Sequence, residues 1–258
     1  MKNSRLLGVL CGAAVAVACG AGTAQAELKK QWVDYKQGNT ALYGYLVYDD
    51  AISGKRPGVL VAHARSGMAE AVIRDAEMIA RYGYVVFAED IFGKGVLPKD
   101  VPEMTAQTVI YNQDRPLMRS RATAGFDVLK ANPLVDAAKI AMVGYCFGGT
   151  VAVELAETGV PIVGMVSVHG SFRNFMPEAA ENIKGRVLIL HGADDPVAPL
   201  DEVNKLVGDL RAAKVNFQLE LYSGTEHGFS NPKNAAEERA DREYKVAMPR
   251  FFKEVFGE

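Results

Sequence analysis

The sequence predicts an α/β domain in which helices cover both faces of a mostly parallel central sheet. Three observations carry this prediction. Continuous apolar runs of strand length recur along the chain, as strands buried on both faces of a sheet require. Amphipathic stretches of helical period lie between most of them. No repeat, low-complexity tract or linker breaks that order.

In chain order, WVDY (32–35) and ALYGYLVYD (41–49) read as the first strands, followed by the turn residues of DAISGKRPG. The buried-strand runs are then GVLVAHA (58–64), YVVFAED (84–90), KIAMVGYC (139–146), IVGMVSVHG (162–170), RVLILHG (186–192) and NFQLELYSG (216–224). Helical patterns fall at 68–83, 115–132, 148–159, 200–215 and 234–257. The charge-rich AEERADREYK in the last of these has i,i+4 pairs suited to a solvated face. The segment from Lys94 to Arg115, with Pro98 and Pro102, reads either as a cap over a pocket or as an ordinary connecting helix.

The first 26 residues stand apart from this pattern. Lys2 and Arg5 precede an apolar run from Leu6 to Cys19, and Ala24-Gln25-Ala26 follows, the pattern of an export signal cleaved after Ala26. The run is shorter than the ~20 residues of a spanning helix, so the expectation is a periplasmic or secreted protein without a membrane span. Residues 27–258 then form a single domain. Removing Lys2 and Arg5 takes the 29 basic residues to 27 against 31 acidic ones, a net charge of −4 that favours neither nucleic acid nor an anionic membrane. A monomer or small homo-oligomer acting on a small molecule fits this balance.

Of three cysteines, Cys11 and Cys19 belong to the leader, which leaves Cys146 with no internal disulfide partner. In an oxidising compartment a single thiol is a liability unless buried or used. Cys146 stands between Gly144 and Gly148 where a strand meets a helix, which is the G-x-S-x-G nucleophile elbow with cysteine in the serine position. A strained turn there requires close backbone approach, hence the glycines. The helix N-terminus favours a thiolate. Taken alone, the motif also fits a tight turn around a buried cysteine. Two later strand ends add an acid, in ADDP, and His227, in the chain order nucleophile, acid, histidine of α/β-hydrolases. Asp194 and Asp195 are adjacent; the pattern H-G-x-x-D-P-x-x-P selects Asp195. His63, His169 and His191, also at strand ends, are candidates for the pocket wall or for structural roles. The four histidines are too dispersed for a metal site.

Across nearly the whole of residues 27–258 the chain resembles the dienelactone hydrolase family, in its exported branch. The stretches that carry the resemblance are GYLVYDDAISGKRPGVLVAHARSGM, DIFGKG, KIAMVGYCFGGT, LHGADDPVAP and EHGFSNP. It implies an α/β-hydrolase fold and cofactor-free, metal-free hydrolysis of esters and lactones. Cys146 is then the nucleophile, His227 the general base and acid, and Asp195 the group that orients His227. It also implies oxyanion donors at the backbone N–H groups of Arg65 and Phe147.

Three positions depart from the family pattern. Ala64 stands where relatives carry a glutamate that contacts the resting thiol, so Cys146 is expected to rest as a thiolate paired with a His227 cation. Lys94 and Asn231 stand where relatives hold a substrate carboxylate with arginines. They are the expected substrate contacts, with Arg65 as a replacement cation, and dienelactone itself is a poor fit to them. The competing expectation is a non-catalytic ligand-binding or thiol-sensing relative with an altered oxyanion loop.

Overall fold

The computed structural model describes residues 27–172 and 177–258, so the leader expected over residues 1–26 lies outside the described residues. Strands β1 (Leu28–Gln37) and β2 (Thr40–Asp49) form an antiparallel hairpin. Its two-residue turn places Gly38 at φ 55°, the left-handed geometry that such turns demand. Six further strands follow: β3 (Arg56–Ala62), β4 (Val85–Glu89), β5 (Val135–Tyr145), β6 (Gly164–Val168), β7 (Arg186–Gly192) and β8 (Phe217–Tyr222). One eight-stranded sheet results, in the order β1-β2-β4-β3-β5-β6-β7-β8. β2 pairs antiparallel with β4, and every pair from β4 through β8 is parallel.

Helices α1 (Glu70–Ala80) and α6 (Ala235–Phe256) cover one face, and α3 (Arg115–Ala131), α4 (Phe147–Glu157) and α5 (Leu200–Ala212) the other. The two-residue period of a strand explains the split. On β3, Val59 and Val61 join the layer of Ile79, Met248 and Phe252, whereas Leu60 and Ala62 join that of Phe126, Val151 and Leu206. Two buried carboxylates lock α3 to α4: Glu154 accepts from Arg115 Nη1 at 2.9 Å and Arg119 Nε at 2.7 Å, and Glu157 accepts from Arg119 Nη2 at 2.7 Å. Among the described residues no helix is long and apolar enough to cross a membrane.

The segment whose role was open in the sequence contains helix α2 (Val101–Gln113), capped by the Asp100 carboxylate, which accepts from Glu103 N. It buries only Tyr111 and packs on α3, so it sits on the surface of the domain rather than in its core. The first strand runs well beyond the expected four residues, because β2 pairs with it along its whole length.

The chain changes winding direction at β3, which lies between β4 and β5, so the carboxyl ends of β3 and β5 are adjacent, with Ala62 opposite Gly144. The turn after β5 presses on that edge. A Cβ on Gly148 would lie 2.2 Å from the Ala62 carbonyl oxygen, and one on Gly144 would lie 1.8 Å from that of Gly148. Gly148→Ala is therefore expected to lose about 3–5 kcal/mol in a urea unfolding series. Gly208→Ala, on α5 where a Cβ meets nothing within 4 Å, should instead gain about 0.5–1 kcal/mol.

Candidate active site

β5 ends at Tyr145 and α4 begins at Phe147, leaving Cys146 alone in the turn with φ 55° and ψ −117°. L-residues rarely occupy this region, and the surrounding hydrogen bonds hold it. Cys146 N–H donates to the Val168 carbonyl at 3.1 Å, and the Cys146 carbonyl accepts from Gly149 N at 2.9 Å. The sulfur is thereby fixed at the amino end of α4.

Asp195 lies in the turn after β7. Its Oδ1 accepts from the N–H groups of Val197 (2.8 Å) and Ala198 (2.9 Å), which leaves Oδ2 to accept from His227 Nδ1 at 2.8 Å. The other ring nitrogen of His227, Nε2, lies 3.1 Å from Cys146 Sγ. Asp194 has a different place: its carboxylate accepts from Gly224 N and braces the two loops on the exposed side. The structure thus brings Cys146, His227 and Asp195 into one hydrogen-bonded line.

The charges in this line support one another. Burial pushes the Cys146 thiol up, but the hydrogen bond and charge of His227 and the backbone N–H groups of Phe147 and Arg65 outweigh it and hold the thiol below its ordinary range. Burial lowers His227, but its bonds to Asp195 and Cys146 prevail and carry it up to about 9. Burial raises the Asp195 carboxyl, yet the His227 bond and the two turn N–H groups keep it below the usual carboxylate value. Both shifts run toward the charged forms, the Cys146 thiolate and the His227 cation. Ala64 brings no carboxylate to the loop beside the sulfur.

A cavity of about 270 Å³ opens onto the sulfur. Arg65, Phe147 and Val197 line it, and α2 contributes Thr105, Thr108 and Asn112. The sequence reading allowed this segment as a cap over the pocket but named none of these three residues; the signal for them was the i, i+3, i+7 spacing of small polar residues on one helical face.

Two expected substrate contacts do not reach this cavity. Lys94 turns outward because its N–H donates to the Ala41 carbonyl at 2.9 Å, which pins the loop after β4 to β2. Its ammonium pairs with Asp34 of β1, over the Tyr43 ring, beside a separate depression walled by Trp32 and Met68. Asn231 is carried away from the sulfur by the turn at Gly228 (φ 83°) and faces Asp75 and Lys245. Arg65 alone of the three lines the cavity.

The remaining histidines stand behind the wall. His169, itself at φ 42°, bonds Ser230 Oγ through Nε2 at 2.9 Å, and its ring packs against that of His227 at 4.9 Å. His191 Nε2 bonds the Ala198 carbonyl at 2.8 Å. His63 is fully buried.

The model of the dienelactone hydrolase family matches residues 42–256. A carboxymethylenebutenolidase homolog from Mus musculus is 30% identical over 170 residues, 66% of this chain and 68% of the mouse protein. Among solved structures, a dienelactone hydrolase-like promiscuous phosphotriesterase from metagenomic libraries is similar with a TM-score of 0.82 at 32% identity, covering 89% of this chain and 99% of its own. An acylaminoacyl peptidase from Pyrococcus horikoshii is 15% identical, with a TM-score of 0.71 over 89% of this chain and 42% of its own, and shares the α/β-hydrolase fold alone. By the extent of the family match and its agreement with this fold, the chain belongs to the dienelactone hydrolase family.

Proposed function

We propose that this hydrolase cleaves carboxylic esters or lactones through a covalent thioester on Cys146. The observation that carries the reading is the hydrogen-bonded line from Sγ through the His227 ring to Asp195, with two backbone N–H groups facing the same sulfur. The thiolate adds to the substrate carbonyl, and the resulting oxyanion takes hydrogen bonds from Arg65 N–H and Phe147 N–H. His227 Nε2–H gives its proton to the departing alkoxide, the C–O bond breaks and the acyl group remains on sulfur. Neutral His227 then takes a proton from water, the hydroxide adds to the thioester, and collapse returns the thiolate and the imidazolium. Asp195 holds the ring in the tautomer and orientation this sequence needs. The leader-like residues 1–26 support action after export.

Turnover of p-nitrophenyl acetate separates this reading from a ligand-binding or thiol-sensing protein. Cys146→Ala and His227→Ala should fall to background, and Asp195→Asn should lose on the order of 10³–10⁴ in kcat. Wild type no faster than Cys146→Ala would defeat the ester-hydrolase reading.

The pH profile follows from the signs of the two shifts. The thiol lies below the ordinary ~8.5 and must be deprotonated to react, so kcat/KM rises with pH on an acid limb below that value. His227 must carry a proton for a poor leaving group, so with a simple alkyl ester the rate should fall as pH passes about 9. A p-nitrophenyl ester needs no proton on leaving, and its alkaline limb should flatten. An alkaline limb of equal steepness for both esters would contradict the general-acid role of His227.

A further inference from the structure

The fully buried His63 touches neither the cavity nor the sulfur, yet its hydrogen bonds bear on the site. Ile91 N–H points at His63 Nε2 at 3.1 Å. A backbone N–H can only donate, so Nε2 carries a lone pair and the proton of the neutral ring is on Nδ1. That Nδ1–H donates to the Ala64 carbonyl oxygen at 2.7 Å. The Ala64 carbonyl and the Arg65 N–H belong to one peptide unit, which is planar and trans, so they point in opposite directions. Fixing the oxygen therefore fixes the direction of the N–H.

We infer that His63 is a positioning residue that holds the Ala64–Arg65 peptide so that Arg65 N–H aims at the sulfur and at the oxyanion formed there. For its effect on turnover the inference rests on the ester-hydrolase reading above. The peptide needs such a tie, because Ala64 is only half-buried and Arg65 is exposed at the cavity mouth. Its carbonyl has a second donor, Gly67 N at 3.1 Å, inside the same short loop. His63 instead connects this loop to the loop that follows β4, through Ile91, two residues past the strand end at Glu89. A flipped peptide would turn the carbonyl toward the thiolate and leave Nδ1–H buried without an acceptor. The ring also lies against Phe147, the bearer of the other N–H donor, with centroids 6.1 Å apart, and against Phe92 at 4.6 Å. One buried imidazole thus braces both halves of the site. Burial keeps it neutral, and Asp90, the carboxylate that opposes this, does not overcome it.

Two substitutions separate the two hydrogen bonds at similar cost in stability. An asparagine amide reaches the Nδ1 position and a glutamine amide the Nε2 position, so His63→Asn keeps the Ala64 tie and His63→Gln keeps the Ile91 tie. His63→Gln is expected to lose about tenfold to a hundredfold in kcat with little change in KM, less than the ~10²–10³ that follows outright removal of an oxyanion donor. Its Cys146 alkylation by iodoacetamide should also shift to higher pH, because a thiolate-facing N–H is lost. His63→Asn should stay within a few-fold of wild type in both readings. The opposite order, or equal kcat and equal alkylation profiles in the two folded variants, would overturn the assignment. Should the variants not fold, ¹⁵N spectra of the four histidines of the intact chain decide. An Nδ1–H tautomer at His63 that persists from about pH 5 to 9 is expected, and an Nε2–H tautomer or an imidazolium there refutes the inference. Alkylation and tautomer need no turnover, so a shifted thiol in His63→Gln beside an inactive wild type would sink the ester reading while sparing this one.

Discussion

The site depends on one backbone contact: the first turn of α4 packs directly against the end of β3. Gly148 has room for a hydrogen and nothing larger, since a Cβ there would lie 2.2 Å from the Ala62 carbonyl oxygen and 2.8 Å from that of His63. This approach gives Cys146 its strained backbone, because the chain must reverse within a single residue between β5 and α4. It also brings Phe147 N–H and Arg65 N–H, from elements some eighty residues apart in sequence, to the same sulfur. Local strain is sustained by the sheet beneath it. The parallel pairing of β3 with β5 sets the two strand ends side by side, and the Val168 carbonyl of β6 accepts the Cys146 N–H.

On this frame the electrostatics are those of a chain of charges with neutral surroundings. Burial, followed by the neighbouring charge of His227, holds His169 down to about 3, so the ring packed on His227 carries no charge across the working range. Burial lowers His191 as well, although it sits 3.8 Å from the Asp195 carboxylate. The negative charge of Asp195 is therefore left to act on His227. Had either neighbour been cationic, it would have competed for that carboxylate and lowered the affinity of His227 for its proton. With Ala64 in the loop beside the sulfur, no carboxylate stands there to favour the neutral thiol. The thiolate is then the form that two N–H dipoles, the helix terminus and one imidazolium all favour.

Much of this was legible in the sequence, and the limits of legibility have a physical pattern. The six parallel strands were visible because burial on both faces demands uninterrupted apolar runs, and the glycines around Cys146 because only a missing Cβ permits the approach seen there. Asp195 and His227 were visible because a parallel sheet delivers its loops to one edge. The placement of Lys94 and Asn231 away from the cavity was not legible. Lys94 stands where relatives hold a substrate carboxylate with an arginine, but its orientation is decided by Ala41 and Asp34 of the β1–β2 hairpin, whose place beside β4 no local pattern reveals. Asn231 is turned away by a left-handed glycine three residues earlier. Helix α2 lacks an apolar stripe because it buries a single side chain, so its period could not distinguish a cap from a connector.

That same helix shapes what the cavity offers. Thr105 Oγ1 donates to the Val101 carbonyl at 2.8 Å and Thr108 Oγ1 to the Thr105 carbonyl at 3.0 Å, so both hydroxyl protons are spent on the helix itself. Thr150, on the opposite wall, spends its proton on the Ser171 carbonyl. From these three residues a bound molecule meets oxygen lone pairs and methyl groups rather than free donors. Apart from His227 and the backbone N–H groups of Arg65 and Phe147, the side-chain donors left on the described lining are the Asn112 amide and the Arg65 guanidinium, and no carboxylate is among the described lining residues. Arg65 thus serves the site twice by separable means. Its peptide N–H is fixed from behind by His63, while its side chain, exposed at the mouth, stays free to answer to whatever the cavity admits.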